Sequence, residues 1–436
     1  MTEQEYYKSV FEKLKNCFKY SYYVLGFGSE LIKYGWSPNG LLVAVEDISS
    51  LWKFTCEYCL QVFIPIIGIN TDYILAPLDF EISLTSENYK LYEDKDYQKY
   101  FFLQIFYTIK YIEKIFLDRK IYFLLDLTPS GGHILFYVKR GTKAFNELQK
   151  IGYLEDDLKN AYKYKSNTDL QRKFGVKEDS GLVFSGLGRL SEYIGLKSIK
   201  EINKYNSGFS VTLCDSSDKS INYDNSWAGD PAYKRIMRSP FSLHKKNTQK
   251  YGKYWQNSLV DIIKVYYNFD NYLNYNDIDY LINCMWDLNL AAEHSKNFSG
   301  YIPIVNDNLC SLINEYKKSD LYKYHQEFDK MNDVDKNGII NKVNKDENLD
   351  EETKNILKYP EPALLQPKKI KHFVYNLLSN NYTAKEIANI INGYYQNPKY
   401  YWHTDWLKYP SKTRANFWAR MYSSLYFFEN GKIKNL

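Results

Sequence analysis

Arg235-Ile236-Met237-Arg238-Ser239-Pro240-Phe241-Ser242-Leu243-His244-Lys245-Lys246 is the stretch on which the reading turns. It sets two arginines, two lysines and a histidine around a Ser-Pro bend. Arginine offers forked donors that match phosphate oxygens, and lysine a compact point charge. The segment therefore has the chemistry to hold a polyanion such as a triphosphate. The same residues would also serve as a basic loop packed around its own Pro240 and Phe241. What separates the two readings lies upstream.

Tyr73 to Leu84 reads as a strand, and on a strand Asp79 and Glu81 point the same way. Ile121 to Leu127 and His133 to Val138 read as apolar strands, with Thr128-Pro129-Ser130-Gly131-Gly132 turning the chain between them. In that turn the glycines would let backbone approach a phosphate closely, and Ser130 could donate to it. His133, at its exit, could hydrogen-bond a phosphate oxygen. Asp126, on the strand before the turn, is expected to bond turn amides. Asp215, Asp224 and Asp230 precede the arginine segment and could each add a carboxylate. Carboxylates in this number suit Mg²⁺ or Mn²⁺, which such groups hold together with phosphate and water.

In order and setting, Asp79-Phe80-Glu81, Ser130-Gly131-Gly132-His133 and Arg235 to Lys246 resemble the motifs of the archaeo-eukaryotic primase superfamily. That family includes the primase-polymerases of plasmids, phages and other mobile elements. The resemblance runs from about Asp79 to Lys250. It implies an α+β fold, with a catalytic core made of a small α/β unit and a unit resembling an RNA-recognition fold. It implies Asp79, Glu81 and Asp224 as metal ligands, with Asp215 the alternative third carboxylate. By the same resemblance, Ser130, His133, Arg238, His244 and Lys246 bind the nucleotide. The activity implied is metal-dependent nucleotidyl transfer on a single-stranded DNA template, with a nucleoside or deoxynucleoside triphosphate as substrate. The rival readings are a non-catalytic replication initiator that binds single-stranded DNA, and a metal-dependent nuclease on the same carboxylates. Two departures from the family pattern stand out. The serine falls three residues before His133 rather than two, and the gap from Asp230 to Arg235 is longer than usual.

Hydrophobic spacing predicts a helix from Glu5 to Lys33, strands at Leu41 to Asp47 and Gln61 to Ile69, and a helix from Tyr97 to Leu117. Ala144 to Ile151 and Asp156 to Tyr164 read as helices, and Phe209 to Cys214 with Ser220 to Asn225 as a hairpin. These elements divide the chain into a catalytic core over 1–254, a helical region over 255–316, a charged linker or exposed helix over 317–362 and a helical C-terminal unit over 363–436. In the last, Thr383 and Glu386 form a capping-box signature. Aromatic and basic residues from Tyr400 to Arg420 would build either a small core or a surface that stacks on template bases.

Composition bounds the rest. The chain has 436 residues, a formal charge of +5 and 44 tyrosines. This mild basicity permits nucleic-acid binding without arguing for it. Six cysteines are too few for a disulfide scaffold, and no signal peptide or membrane-length apolar run is seen, so a cytoplasmic protein is expected. Cys56 and Cys59 lack the second pair that structural zinc needs. Asp333 to Gly338 starts like a calcium loop but lacks its closing glutamate, Asn344 standing there, so a polar turn is expected. No Gly-x-x-x-x-Gly-Lys-Ser/Thr motif is present, and unwinding would fall to a separate helicase.

Overall fold

A computed structural model describes residues 1–17, 22–26, 41–45, 47–68, 72–82, 95–165, 175–205, 210–215, 220–244, 261–265, 278–305, 307–400 and 410–436. The fold is mixed α+β with a helical C-terminal region. Strands β1 (Tyr22–Gly26), β2 (Leu41–Val45) and β3 (Gln61–Pro65) lead into β4 (Tyr73–Ile82). Next come β5 (Leu124–Thr128), β6 (Gly131–Lys139), β7 (Ser210–Leu213) and β8 (Ser220–Asp224). β9 (Ile236–Arg238), β10 (Asp261–Val265) and the short β11 (Ile304–Val305) complete the set. One sheet has the order β2-β1-β3-β9 and is antiparallel throughout. The other has the order β10-β5-β6-β4-β8-β7, with β11 lying along β6.

β6 is buried along all but its last residue, which explains its unbroken apolar run. Helices Lys95–Leu117 and Glu178–Ile202 pack on this sheet. Phe80 meets the Tyr223 ring edge-on, Ser191 of the second helix bonds the Tyr223 hydroxyl at 2.9 Å, and Gly132 lies under Ile109 of the first. Phe80, Gly132 and Tyr223 share one register row, so that row faces the helices. The adjacent row of Asp79, His133 and Asp224 must face the opposite side, because side chains alternate along a strand. Pro77 is tolerated within β4 because β8 pairs only with residues 79–82, leaving no ladder partner opposite its missing N–H.

Three expectations are corrected. The N-terminal helix spans Glu3–Cys17, and Tyr22–Gly26 within the stretch read as helical is a strand. That Tyr-Tyr-Val-Leu run has high β propensity, and pairing with both β2 and β3 decides the matter. β7 and β8 are not a hairpin: they pair in parallel, Ser210 with Ser220 through Leu213 with Tyr223. The reversal is helped by Cys214 at φ +50° and by Asp215, whose N–H donates to the Asn222 side chain at 3.0 Å. The stretch read as a charged linker or exposed helix is helical, in Asp320–Lys330, Lys336–Asn344 and Glu351–Lys358, but packed rather than exposed, with Leu321, Tyr324, His325 and Phe328 buried.

The calcium-like turn is a helix start: Asp335 accepts the N–H groups of Asn337 and Gly338, and Asp333 pairs with Lys412 at 2.7 Å. The Thr383–Glu386 capping box is formed in both directions. Helix Ser411–Glu429 is buried almost all round, with Trp418 and Tyr422 in the core. No helix among the described residues is long and apolar enough to cross a membrane.

Candidate functional site

Four strands lay four titratable side chains in one line. Asp126 on β5 lies opposite His133 on β6, His133 opposite Asp79 on β4, and Asp79 opposite Asp224 on β8. Residues directly opposite in a sheet share a face with Cβ atoms about 5 Å apart. Glu81 sits two residues further along β4 on that same face. Asp79, Glu81 and Asp224 each present a carboxylate oxygen within 4.8 Å of the others. His133 reaches toward them, its Nε2 lying 3.5 Å from Asp79 Oδ1, while its Nδ1 lies 2.9 Å from Asp126 Oδ1.

The electrostatics follow from this crowding. Burial pushes the Asp79 carboxyl well above the usual range; His133 opposes this, and Glu81, Asp224 and Asp126 add to it. Burial works against a His133 cation, but Asp126 and then Asp79 outweigh it and hold the ring at about 9. Burial also raises Asp126, with His133 opposing. The site is thus an imidazolium beside three carboxylates that repel one another. Asp79 Oδ1 is buried with no hydrogen-bond donor. A divalent cation would relieve both the repulsion and the unpaired oxygen, and oxygen ligands suit Mg²⁺ or Mn²⁺, so the residues present fit such an ion.

Of the three aspartates before the arginine segment, Asp224 alone joins the cluster. Its Oδ1 accepts the Ser226 N–H at 2.8 Å and lies 3.8 Å from the Cys214 thiol. The Cys214 carbonyl in turn accepts the Tyr422 hydroxyl at 2.8 Å, so the C-terminal helix braces the back of the site. Asp215 is turned away to Lys371 at 2.9 Å, and Asp230 is paired with Arg235 and Arg414.

The sheet itself requires these glycines. A Cβ on Gly131 would stand 1.7 Å from the Phe80 carbonyl oxygen, and one on Gly132 would stand 2.9 Å from that of Asp126. Gly131→Ala is accordingly expected to destabilise the chain by about 2 kcal/mol or more through overpacking, read from its urea midpoint. Ser130 lies in the two-residue turn, where its carbonyl accepts the Ile82 N–H at 2.7 Å.

The arginine segment lies on the smaller sheet. Arg238 is buried over the Phe63 ring, 4.6 Å from its centroid, and donates to Gln61 and to the Leu243 carbonyl. Among the described residues no carboxylate pairs with it, and burial pulls it down to about 9. Residues 239–243 are buried as well. Ser242 Oγ accepts the Val62 N–H at 2.8 Å, the Tyr7 hydroxyl accepts the Leu243 N–H at 3.1 Å, and Tyr6 donates to the Phe241 carbonyl at 3.2 Å. His244 is buried at the end of this run, and Lys245 and Lys246 lie outside the described residues. Arg238 does not touch the acidic row. Cys17, ending the first helix, is influenced from both regions: its thiol is raised by burial and by the Asp126 charge, with Ser239 opposing.

Asp126 accepts the main-chain N–H of His133, at the exit of the turn, at 3.0 Å, as expected of a residue that bonds turn amides, and it also faces the His133 ring. The register comes from a turn shorter than the Thr128 to Gly132 expected from sequence. Counting back from a two-residue turn at Pro129-Ser130 pairs position 126 with position 133. Compared with family models, curated proteins and solved structures, the chain matches none.

Proposed function

We propose that this chain is a metal-dependent nucleotidyl transferase of the primase-polymerase kind, working on single-stranded DNA. The observation that carries the reading is the convergence of Asp79, Glu81 and Asp224 within 4.8 Å beside the cationic ring of His133. On this reading the two sheets are the two units of a primase-like core.

Asp79, Glu81 and Asp224 would hold Mg²⁺ or Mn²⁺, and such an ion supplies positive charge for the attacking and leaving oxygens. His133 would donate from Nε2 to a phosphate oxygen of a nucleoside triphosphate. Arg238, a buried guanidinium with no acidic partner among the described residues, fits an anionic neighbour; unpaired buried charge is otherwise costly. Ser130, His244 and Lys246 remain in the proposal as nucleotide contacts by resemblance alone.

The test is synthesis without a primer, on single-stranded DNA with Mn²⁺ or Mg²⁺ and labelled nucleotides. Short labelled products are expected. Extension of an annealed primer without initiation would make the chain a polymerase that cannot start. Silence in both assays with DNA binding intact would overturn the reading in favour of a non-catalytic initiator. Metal-dependent cleavage of the single strand without nucleotide would point to a nuclease.

A further inference from the structure

We propose that Asp126 is a positioning residue for His133, fixing the imidazole so that Nε2 is turned to the carboxylate cluster and to the phosphate it would bind. This rests on the reading of His133 as a triphosphate contact. One oxygen, Asp126 Oδ1, accepts the His133 main-chain N–H at 3.0 Å and lies 2.9 Å from Nδ1 as a charge contact outside aligned hydrogen-bond geometry, so ring and backbone are held near the same point. Asp126 is fully buried, on a strand paired on both sides, by β6 and by β10. With Nδ1 turned to Asp126, Nε2 is the ring nitrogen on the cluster side, 3.5 Å from Asp79 Oδ1. A carboxylate behind a functional histidine sets ring orientation and tautomer, and loss of such a partner costs about 10–100-fold in affinity.

The experiment compares Asp126→Ala, His133→Ala and the double variant by calorimetry. The titrants are Mn²⁺ alone and Mn²⁺ with a non-hydrolysable nucleoside triphosphate. Asp126→Ala is expected to weaken nucleotide binding about tenfold and leave Mn²⁺ binding within about twofold. In synthesis it should raise KM more than it lowers kcat. The double variant should bind no worse than His133→Ala, since the two residues act as one unit. Full additivity, or a folded Asp126→Ala with unchanged nucleotide affinity, overturns the positioning role while leaving the site reading intact. A His133→Ala chain with unchanged affinity overturns the phosphate role and the positioning role together. Should Asp126→Ala fail to fold, Asp126→Asn keeps an acceptor for the backbone N–H. Imidazole NMR then reads the ring directly: an Nδ1–H signal shifted by the Asp126 carboxylate is expected in the parent chain and moved toward the free-imidazole position in Asp126→Asn, whose neutral oxygen is the weaker acceptor. Absence of that shift from the parent chain overturns the proposal.

Discussion

Replacing Asp79 and Glu81 together by alanine is expected to lower nucleotide transfer by at least about a thousandfold, with the chain still folded. A bound divalent ion contributes several kcal/mol of charge stabilisation, and each 1.4 kcal/mol is tenfold in rate. Calorimetry should show Mn²⁺ binding lost in parallel. Unchanged synthesis in this double variant would end the mechanism proposed here. The milder Asp79→Asn separates function from stability. The Asp79 carboxyl is pushed up by burial and by Glu81, Asp224 and Asp126, more than His133 draws it down. An acid whose native pKa lies above its unfolded value costs stability once the pH exceeds that unfolded value, about 3.9. Without metal at pH 7, Asp79→Asn should therefore unfold at a higher urea concentration than the parent while binding Mn²⁺ more weakly. A lower midpoint would contradict the electrostatic account.

The second large effect is far from the site. Glu192→Ala is expected to cost about 3–5 kcal/mol of stability, because it strands a buried charge. Glu192 is fully buried, and its Oε1 accepts Ser424 Oγ at 2.6 Å and His325 Nε2 at 3.1 Å. Its Oε2 accepts Arg420 at 3.1 Å, and the Tyr316 hydroxyl closes the chain at His325 Nδ1, 2.6 Å away. Three segments of chain meet in this network. Burial pulls His325 down to about 4, which leaves the ring neutral, with Nε2 donating to Glu192 and Nδ1 accepting from Tyr316. Burial opposes the Glu192 carboxylate, but His325 and Arg420 outweigh it and bring it to about 2.

Both shifts make the chain acid-labile. Between pH 6.5 and 4 the unfolded chain takes a proton at His325 that the folded chain refuses, so stability falls as the pH falls. Below the ordinary glutamate value, Glu192 adds to the loss as the pH drops toward 2. Urea midpoints at pH 7 and pH 5 should show the decline, and His325→Asn should flatten it. Asp79 opposes this trend, gaining stability as the pH falls, so the test is the difference: equal declines in the parent chain and in His325→Asn would refute the neutral-ring arrangement.

Much of the site was readable before any coordinates. Asp79 and Glu81 share a strand face because alternation is a local property of extended chain, whereas the two-residue turn at Pro129-Ser130 that brings His133 beside Asp79 emerged only in the fold. Asp224 could be placed only by family resemblance, since Asp215 and Asp230 offered the same chemistry a few residues away. Their elimination comes from Lys371, Arg235 and Arg414, two of them more than 130 positions distant in the chain. The parallel pairing of β7 and β8 was equally hidden, because two short apolar runs six residues apart suggest a hairpin by default.

What the sequence determined by itself was local: helix caps, strand faces and the identity of the charged groups. Tertiary structure decided which of those charges meet. Pairing of β4 with both β6 and β8 sets Asp79 between His133 and Asp224, and burial turns that proximity into an imidazolium beside repelling carboxylates. Burial also closed the loop after Arg238 around its own backbone and settled the C-terminal helix against Cys214 and Glu192. Such outcomes depend on contacts between residues far apart in the chain, whose energies no local spacing encodes.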